Sequence, residues 1–350
     1  MIQLNERQKA VVDFIKEKGI VANHEINAFL SKKGENISRI TLIRDLNELI
    51  VNGEIRQIGK GRNIRYEHSS KHPLLDSLDI GDYFSDSNRN KTREAVLFNH
   101  NTLDKFDNIL SEKEVILLKE KNDGYRKRIV GLSPTLLKKE FERITIELSW
   151  KSSKIEGNTY SLIDTELLIK EHKEAEGHSK EEVDMILNHK KALDYIFLNR
   201  ENFKILSLRG IEDIHRFLTE QLDVQAGIRT RAVGITGSHY RPLNNNHQIK
   251  EVLEKTIEKI NSMNDPWSKA LIAFTMIAYI QPFEDGNKRT SRIIANACLI
   301  AYDVCPLSLR SIDETEYKKA ITVFYELQNA TYIKKLFIEQ FDFAVNNYFL

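Results

Sequence analysis

An apolar helix that runs straight into a charged turn is the feature that most constrains the fold of this chain. Residues 270–280, ALIAFTMIAYI, are almost entirely apolar, and they are too few to cross a bilayer, which needs about 18 or more. They therefore predict a buried core helix. The following residues, QPFEDGNKRTSR at 281–292, begin with turn residues and continue as a run that can form a new helix. A helix, a tight turn and a second helix are thus expected at the centre of the fold.

The length and composition of the chain favour an ordinary globular protein with two domains. At 350 residues it exceeds the roughly 100 to 200 residues typical of one domain. A net charge of +1 with 41% hydrophobic residues argues against a disordered chain and against overall polyanion binding. The N-terminal MIQLNERQKA lacks the apolar core of a secretory signal, so we expect a cytoplasmic protein without membrane segments. Cys298 and Cys305 fit buried thiols better than a disulfide or a metal site.

Residues 1–68 form a region with a character of its own. Three helical patterns are followed by EIRQIGKGRNIRYEH, which alternates like two strands around the turn GKGR. In the third helix, apolar residues recur at spacings of three and four and predict one buried face, made by Ile40, Ile43, Leu46, Leu49 and Ile50. This order of three helices and a basic hairpin resembles the winged helix-turn-helix family.

The winged-helix resemblance implies DNA binding, with the helix from about Ser38 in the major groove and the hairpin against the phosphates. The residues that would contact DNA are Arg39, Arg44, Lys60, Arg62 and Arg65. Residues 1–68 hold 12 Lys and Arg against 9 Asp and Glu, a modest excess for a DNA-binding domain. A protein-docking or dimerising role for this domain therefore stays open.

A linker and a long helical region follow. Residues 69–92 mix Ser, Asp, Asn and Gly with a few apolar anchors, which is typical of a linker. Beyond them amphipathic helical stretches succeed one another, with start signals at Ser133, Ser179 and Asp265. Residues 227–243 interrupt the helices, and their alternation with Gly and Pro predicts a hairpin-like flap.

The turn after the apolar helix has the chemistry of a phosphate site. The start of a helix presents free backbone N–H groups and partial positive charge, and Asn287 is expected to cap this helix. Gly286 lets the backbone approach a phosphate closely, while Arg289 and Arg292 lie three apart and can fork onto phosphate oxygens from one side. Asp285 at the lip can share a Mg²⁺ ion with the phosphates. Each element alone is common, but their combination is specific.

The same stretch resembles the signature of the Fic family of nucleotidyl transferases, His-Pro-Phe-x-(Asp/Glu)-Gly-Asn-x-Arg-x-x-Arg, at every defined position except the first. The resemblance extends over roughly residues 93–345. It implies a mostly α fold, in which a helical lead-in at 93–200 precedes a Fic-type core at 201–345 with a small β-hairpin flap.

The resemblance also implies an activity. Fic proteins most often transfer AMP from ATP, with Mg²⁺, to a Ser, Thr or Tyr hydroxyl of a target protein, and the target would dock as an added strand at the flap, residues 228–243. Because Fic proteins often pair, a homodimer is one option for the oligomeric state. The metal would lie at Asp285, and the nucleotide would be held by Gly286, Asn287, Lys288, Arg289, Arg292, Thr236, Gly237, Ser238 and Tyr317.

A second motif lies in the lead-in, at residues 152–157. LSWKSSKIEGNTY contains Ser152, Glu156 and Gly157, which resemble the family's inhibitory motif (Ser/Thr)-x-x-x-Glu-(Gly/Asn). The resemblance implies that Glu156 pairs with Arg292 and repels the γ-phosphate, because an arginine held by a carboxylate cannot hold the nucleotide. Without the turn motif, the same residues fit a helix end capped by Gly157.

Gln281 occupies the position of the family's histidine base. A glutamine amide has no protonation change near neutral pH, and a general base is typically worth about 10²- to 10⁴-fold in rate. The sequence therefore predicts intact nucleotide binding with impaired AMP transfer. Either the residue was substituted to trap a bound state, or the natural protein has abandoned or rerouted the chemistry, with His239 and Glu284 as the nearest alternative bases.

Three functions follow from these motifs. The leading one is a protein adenylyltransferase restrained by Glu156 and impaired at Gln281. The second is a catalytically silent nucleotide-binding regulator that acts on DNA, and the third is a hydrolase that uses Glu156 to remove AMP. Transfer of another phosphate-containing group at the same turn is a weaker alternative. The sequence identifies neither the target protein nor a DNA site.

Overall fold

The computed structural model describes residues 4–85 and 95–350, apart from residues 36, 53, 60, 70, 71 and 77. The chain divides into two compact units, Met1–Arg89 and Asn90–Leu350, which we call the N-terminal and the C-terminal unit. Two residues of the expected DNA contact are not covered: Lys60 lies outside the described residues, and so does the side chain of Arg62.

Helices and a small sheet build the N-terminal unit. Its elements are α1 (Glu6–Lys18), β1 (Val21–Ala22), α2 (Asn23–Lys32), α3 (Arg39–Val51), β2 (Ile55–Ile58), β3 (Arg65–His68) and α4 (Ile80–Ser85). The sheet is antiparallel, with β3 between β1 and β2, and Tyr66 pairs with both Val21 and Gln57. The helix α4 lies in the stretch expected to be a linker and buries none of its residues.

The predicted inward face of α3 is confirmed at Leu46 and Leu49 but not at Ile40 and Ile43. Leu42, Leu46 and Leu49 are buried, whereas Ile40 is 81% exposed and Ile43 is 38% exposed. At about 100° per residue, Ile40 lies on nearly the opposite side of the helix from Leu42. The expectation for Ile40 and Ile43 was therefore wrong, because the apolar spacing fits two overlapping stripes and does not decide which one packs on the core.

The C-terminal unit is helical almost throughout, as the sequence predicted. Its helices are α5 (Glu112–Val130), α6 (Pro134–Ile155), α7 (Leu162–Glu171), α8 (Lys180–Leu198), α9 (Leu208–Leu218), α10 (Asn246–Ser262), α11 (Pro266–Ile280), α12 (Asn287–Ile300), α13 (Glu314–Leu327) and α14 (Thr331–Asn347). The predicted start signals are present, since Ser133, Ser179 and Asp265 each accept a hydrogen bond as N-cap residues.

The predicted buried helix is α11. Every residue from Trp267 to Ile280 is buried, and the helix packs along α12, which is itself buried at nearly every position. Cys298 and Cys305 are buried free thiols, as expected. Among the described residues, no helix combines the length and the apolarity needed to cross a membrane. The turn between α11 and α12 is therefore anchored on both sides by the core.

The flap is not the hairpin that the sequence predicted. It contains one strand, β5 (Tyr240–Arg241), which pairs in parallel with β4 (Val96–Leu97) from a distant part of the chain. The buried guanidinium of Arg229 explains the difference, because it donates to the flap carbonyls of Arg231 (Nη1, 2.6 Å) and Leu243. An arginine thus satisfies backbone groups that a second flap strand would otherwise bind.

Candidate nucleotide site

The turn between α11 and α12 is closed by two residues in the left-handed conformation. Gln281 ends α11 at φ 52° and ψ 58°, and Gly286 precedes α12 at φ 76°. A Cβ at Gly286 would lie 3.1 Å from Thr219 Cγ2, so the turn needs glycine both for its backbone and for its packing. No side chain caps α12 at Gly286. The N-terminal N–H groups of α12 therefore give the turn the character of an anion site.

The side chain of Asn287 bridges the turn by hydrogen bonds and does not cap the helix. The sequence placed it at the N-cap, but it is the first residue of α12. Its side chain accepts from the Phe283 backbone N–H (2.8 Å) and donates to the Phe283 carbonyl (2.9 Å) and to Gln281 Oε1 (3.0 Å). The side chain folds back across the turn because its oxygen and nitrogen together match a backbone N–H and carbonyl.

Gln281 is a structural part of the same turn. Its Nε2 donates to the Ala278 carbonyl (2.7 Å), its Oε1 accepts from Asn287, and its backbone carbonyl accepts from Arg229 Nε (2.7 Å). Both ends of the amide are thus engaged. An amide so bonded supplies neither a proton acceptor nor a group that titrates near neutral pH.

Arg292 is fully buried and held by the motif at 152–157. Its Nε donates to Ser152 Oγ (2.9 Å), its Nη2 to the Ser152 carbonyl (2.9 Å), and its Nη1 to Glu156 Oε1 (2.8 Å). The ring centroid of Tyr317, which is also buried, lies 5.5 Å from the guanidinium carbon. All three guanidinium nitrogens are therefore bonded to Ser152 or Glu156.

Glu156 joins two cations of the turn. Its Oε2 lies 2.8 Å from Lys288 Nζ, while its Oε1 pairs with Arg292. Burial opposes the charge of Glu156, but Arg292 and Lys288 more than offset it and lower the pKa of the carboxyl to about 2. Glu156 is also the C-cap of α6, where the helix dipole disfavours a carboxylate, and Gly157 follows at φ 105°. Glu156 thus both ends α6 and forms the ion pairs. The two cations compensate the unfavourable interaction of its carboxylate with the helix dipole.

Arg289 and Asp285 form the outer part of the turn. Arg289 Nη2 lies 2.8 Å from Asp285 Oδ2, and Arg289 Nη1 donates to the Leu218 carbonyl (3.2 Å). The arginine side chain is buried, whereas the Asp285 side chain is 70% exposed. The turn therefore has a buried guanidinium, that of Arg289, at its base and an exposed carboxylate, that of Asp285, at its outer edge.

Magnesium fits this donor set only together with a phosphate ligand. In the part of the chain that the structure describes, no group of three or more His, Cys, Asp or Glu side chains could enclose a metal ion. Asp285 offers an exposed carboxylate at the turn, and the neighbouring Glu284 is half-buried. Mg²⁺ is commonly bound through one or two carboxylates, with phosphate oxygens and water completing the octahedron. The turn thus suits an ion that arrives with a triphosphate.

Among the expected flap residues, Ser238 is bonded to helix α13. Thr236 and Gly237 are exposed in a turn of the flap. Ser238 Oγ donates to Glu326 Oε1 (2.7 Å), and the His239 backbone N–H donates to the same oxygen (3.0 Å). A residue of α13 therefore anchors the part of the flap that the sequence assigned to the nucleotide.

Sequence reasoning missed a histidine beneath the turn. His215 in α9 is fully buried, stacks on Phe283 with ring centroids 3.8 Å apart, and donates from Nε2 to the Asp285 carbonyl (3.0 Å). Burial lowers its pKa to about 4. The available signal was its position on the inward face of α9, which it shares with Ile211 and Leu218.

The expected DNA contacts are exposed where the structure describes them. Arg39 and Arg44 lie on the exposed side of α3, and Arg65 is exposed on β3. Arg44 also lines a surface cavity on α3, together with Ile40, Ile43 and Val51.

The model of the Fic/DOC family matches residues 205–299, which contain α9 to α12, the flap and the turn. The chain is 26% identical over 263 residues to the protein adenylyltransferase Fic of Aedes aegypti, covering 73% of this chain and 50% of the mosquito protein. It is 27% identical over 176 residues to protein adenylyltransferase fic-1 of Caenorhabditis elegans, covering 48% and 34%. The chain thus spans about half or less of the length of these relatives.

Solved structures agree on the fold. A Fic-1 fragment from C. elegans superimposes with a TM-score of 0.58 at 21% identity, covering 68% of this chain and 72% of that one. A Fic domain containing signaling protein from Bacteroides thetaiotaomicron superimposes with a TM-score of 0.54 at 19% identity, covering 65% and 95%. The chain therefore carries a Fic domain and is a homologue of the Fic proteins.

Proposed function

We propose that this chain is a Fic-type protein adenylyltransferase scaffold that binds ATP with Mg²⁺ at the turn, is restrained by Glu156, and is impaired because Gln281 replaces the histidine base. The observation that carries the proposal is the double ion pair of Glu156 with Arg292 and Lys288. It places an anion from a separate helix on the cations that a triphosphate would need.

The turn supplies the groups that hold phosphates. The N-terminus of α12 and the guanidinium of Arg289 would receive the inner phosphates, and Arg292 would receive the γ-phosphate. Asp285 would hold Mg²⁺, which supplies charge neutralisation between phosphate oxygens. Support for AMP transfer comes from the relatives, whose names describe them as protein adenylyltransferases.

Restraint follows from competition for the same cations. The Arg292 guanidinium is fully buried and paired with Glu156, so it would have to give up this carboxylate to pair with the γ-phosphate. The carboxylate of Glu156 adds a negative charge that repels the triphosphate. ATP would therefore bind weakly, or in a pose that is not productive, until the inhibitory segment moves.

Impairment follows from the amide at position 281. The attacking hydroxyl of a target must lose its proton, and the amide of Gln281, already bonded to Ala278 and Asn287, cannot accept it.

A target segment would pair with the flap strand β5. One edge of β5 is occupied by β4, so the opposite edge is left for an incoming strand.

The test measures binding and transfer separately. Calorimetry should detect Mg²⁺-ATP binding that becomes tighter in Glu156→Gly. Transfer of label from α-labelled ATP to protein should be near background for the unmodified chain and clear for the Glu156→Gly, Gln281→His double variant. If the double variant neither binds ATP nor labels any protein, the proposal fails. Label from γ-labelled ATP instead would indicate a different group transfer.

A nucleotide-binding regulator without chemistry is the second candidate. The observation that favours it is the engagement of both ends of the Gln281 amide, which makes this residue part of the turn architecture. In this candidate the N-terminal unit is a winged helix that acts on DNA through Arg39, Arg44 and Arg65. DNA affinity that changes with ATP would support it.

We do not favour the third candidate, a hydrolase that uses Glu156 to remove AMP, because a carboxylate with a pKa of about 2 is a weak base.

A further inference from the structure

A second buried histidine lies behind the inhibitory segment. His189 in α8 is fully buried, and its Nδ1 lies 2.7 Å from the Met185 carbonyl and 3.4 Å from Ser153 Oγ. Its Nε2 lies 2.9 Å from Ser152 Oγ. Because the Met185 carbonyl only accepts, Nδ1 carries the proton in this arrangement, and Nε2 is left as the acceptor.

The tautomer fixes the direction of the Ser152 hydroxyl. The hydroxyl donates to His189 Nε2, so its oxygen keeps its lone pairs for another donor. That donor is Arg292 Nε, at 2.9 Å. The three residues therefore form one chain of hydrogen bonds, in which each proton has a defined acceptor.

We infer that His189 is a positioning residue of the restraint, which orients Ser152 and thereby keeps Arg292 in the arrangement that cannot bind the γ-phosphate. The inference rests on the proposed function and adds a residue outside the inhibitory motif. An apolar side chain would fill the same core site without the cost of burying two ring nitrogens. Burial lowers the pKa of His189 to about 3, so the neutral ring that this chain of bonds needs persists at neutral pH.

A matched pair of variants separates the two hydrogen bonds of His189. His189→Asn keeps an amide near the place of Nδ1, within reach of the Met185 carbonyl, but is too short for Ser152. His189→Gln places its amide near Nε2 and keeps an acceptor for Ser152. The loss of one such hydrogen bond corresponds to about 3- to 10-fold in affinity. His189→Asn should therefore tighten Mg²⁺-ATP binding by about this factor, and His189→Gln should change it less than about twofold.

A double-mutant cycle tests whether His189 acts through Ser152. In the Ser152→Ala background, which lacks the shared hydroxyl, His189→Asn should have no further effect on ATP affinity. A role limited to core packing predicts the opposite pattern, in which both His189 variants weaken ATP binding or change it equally. That pattern, or tightening by His189→Asn that persists without the Ser152 hydroxyl, overturns the inference.

Two controls keep the result interpretable. If His189→Asn does not fold, the imidazole ¹⁵N shifts of the unmodified chain decide: an Nδ1–H tautomer whose Nε2 shift moves in Ser152→Ala supports the inference, and an Nε2–H tautomer overturns it. If ATP fails to bind even in Glu156→Gly, the proposed function fails. If Glu156→Gly tightens ATP and His189→Asn does not, only the role of His189 fails.

Discussion

The arginines expected to bind a ligand are held in opposite ways in the two units of this chain. In the C-terminal unit, Arg289 and Arg292 are buried and each is bonded to named partners. In the N-terminal unit, Arg39 and Arg44 are exposed on α3. Burying a charge is costly unless it is paired, so a buried and paired arginine indicates a built site. An exposed arginine is compatible with DNA, with a protein partner or with solvent alone.

The exposed side of α3 strengthens this contrast. Ile40 is 81% exposed and Val51 is 85% exposed on the same helix as the two arginines. Isolated apolar residues on a surface are ordinary, but here they alternate with the charges that a DNA site would use. The C-terminal unit therefore leads to a chemical proposal, whereas the N-terminal unit leads to two competing partners.

The largest effect should come from restoring a base at the turn. In the Glu156→Gly background, Gln281→His should raise AMP transfer by about 10²- to 10⁴-fold, because an imidazole can take the hydroxyl proton. Histidine tolerates the left-handed backbone of this position better than most residues do. Transfer is measured with α-labelled ATP.

Gln281→Asn is the matched control, since it remains an amide and should stay near background. Equal activity of the His and Asn variants would mean that position 281 does not supply the base, and the buried arginines would then mark a binding site only.

The next largest effect should come from removing the charge of Glu156. Glu156→Gln keeps the side-chain size and should tighten Mg²⁺-ATP binding by about 10- to 100-fold, the range of a charge-assisted hydrogen bond. Glu314→Gln is the control, because it breaks the ion pair of Glu314 with Lys151 (2.5 Å) and loosens α6 without touching Arg292. Calorimetry measures the Mg²⁺-ATP affinity of both variants. Similar tightening by both variants would mean that α6 mobility, and not the Glu156 charge, controls the site.

The same contrast explains what the sequence could predict. The turn motif and the Glu156 segment are local patterns, and the pairing of Glu156 with Arg292 followed from the family resemblance. The buried support was out of reach, because His215 and Asp285 lie 70 residues apart in the chain, and Arg229 and Gln281 lie 52 apart. Contacts of that separation depend on how helices pack, which spacing within one segment does not encode.

The fold was predicted in the same uneven way. Helix starts were found because a cap is a local hydrogen bond, as at Ser179 with Glu182. The partner of the flap strand was missed because β4 precedes it by more than a hundred residues and has only two residues. The inward face of α3 was predicted at Leu46 and Leu49 but missed at Leu42, because Leu42 and Ile43 are adjacent and both apolar.

Acid should destabilise the C-terminal unit through its two buried histidines. Burial lowers the pKa of His189 to about 3 and that of His215 to about 4, from an ordinary value of 6.5. The unfolded chain takes up protons below about pH 6.5 while the folded one does not, so stability is complete above that pH and is lost below it. At pH 5 the loss is about 2 kcal/mol per histidine. Glu156, with a pKa of about 2, adds its own loss only below about pH 4.5.

Tryptophan emission can follow this unit alone, because Trp150 and Trp267 are the two tryptophans of the chain and both lie in it. Urea unfolding between pH 7 and 5 measures the free energy of unfolding. The slope of the unfolding free energy against pH reports how many more protons the unfolded chain binds than the folded one. His189→Gln should lower this number by about one. A free energy that stays constant from pH 7 to 5 would contradict the neutral, buried state of both histidines.

The smallest effects concern α3, where a charged and an apolar neighbour can be compared on one helix. If the N-terminal unit binds DNA, Arg44→Ala should lower the slope of log affinity against log salt by about one, while Ile40→Ala should leave the slope unchanged. If the unit docks on protein, Ile40→Ala should weaken association by a few-fold, and DNA should bind neither variant nor the unmodified chain at low salt. Fluorescence anisotropy with duplex DNA and analytical ultracentrifugation distinguish the two. Equal loss of DNA binding in the Ile40 and Arg44 variants would remove the contrast between the two units. The exposed face of α3 would then be a defined binding site, as the turn is.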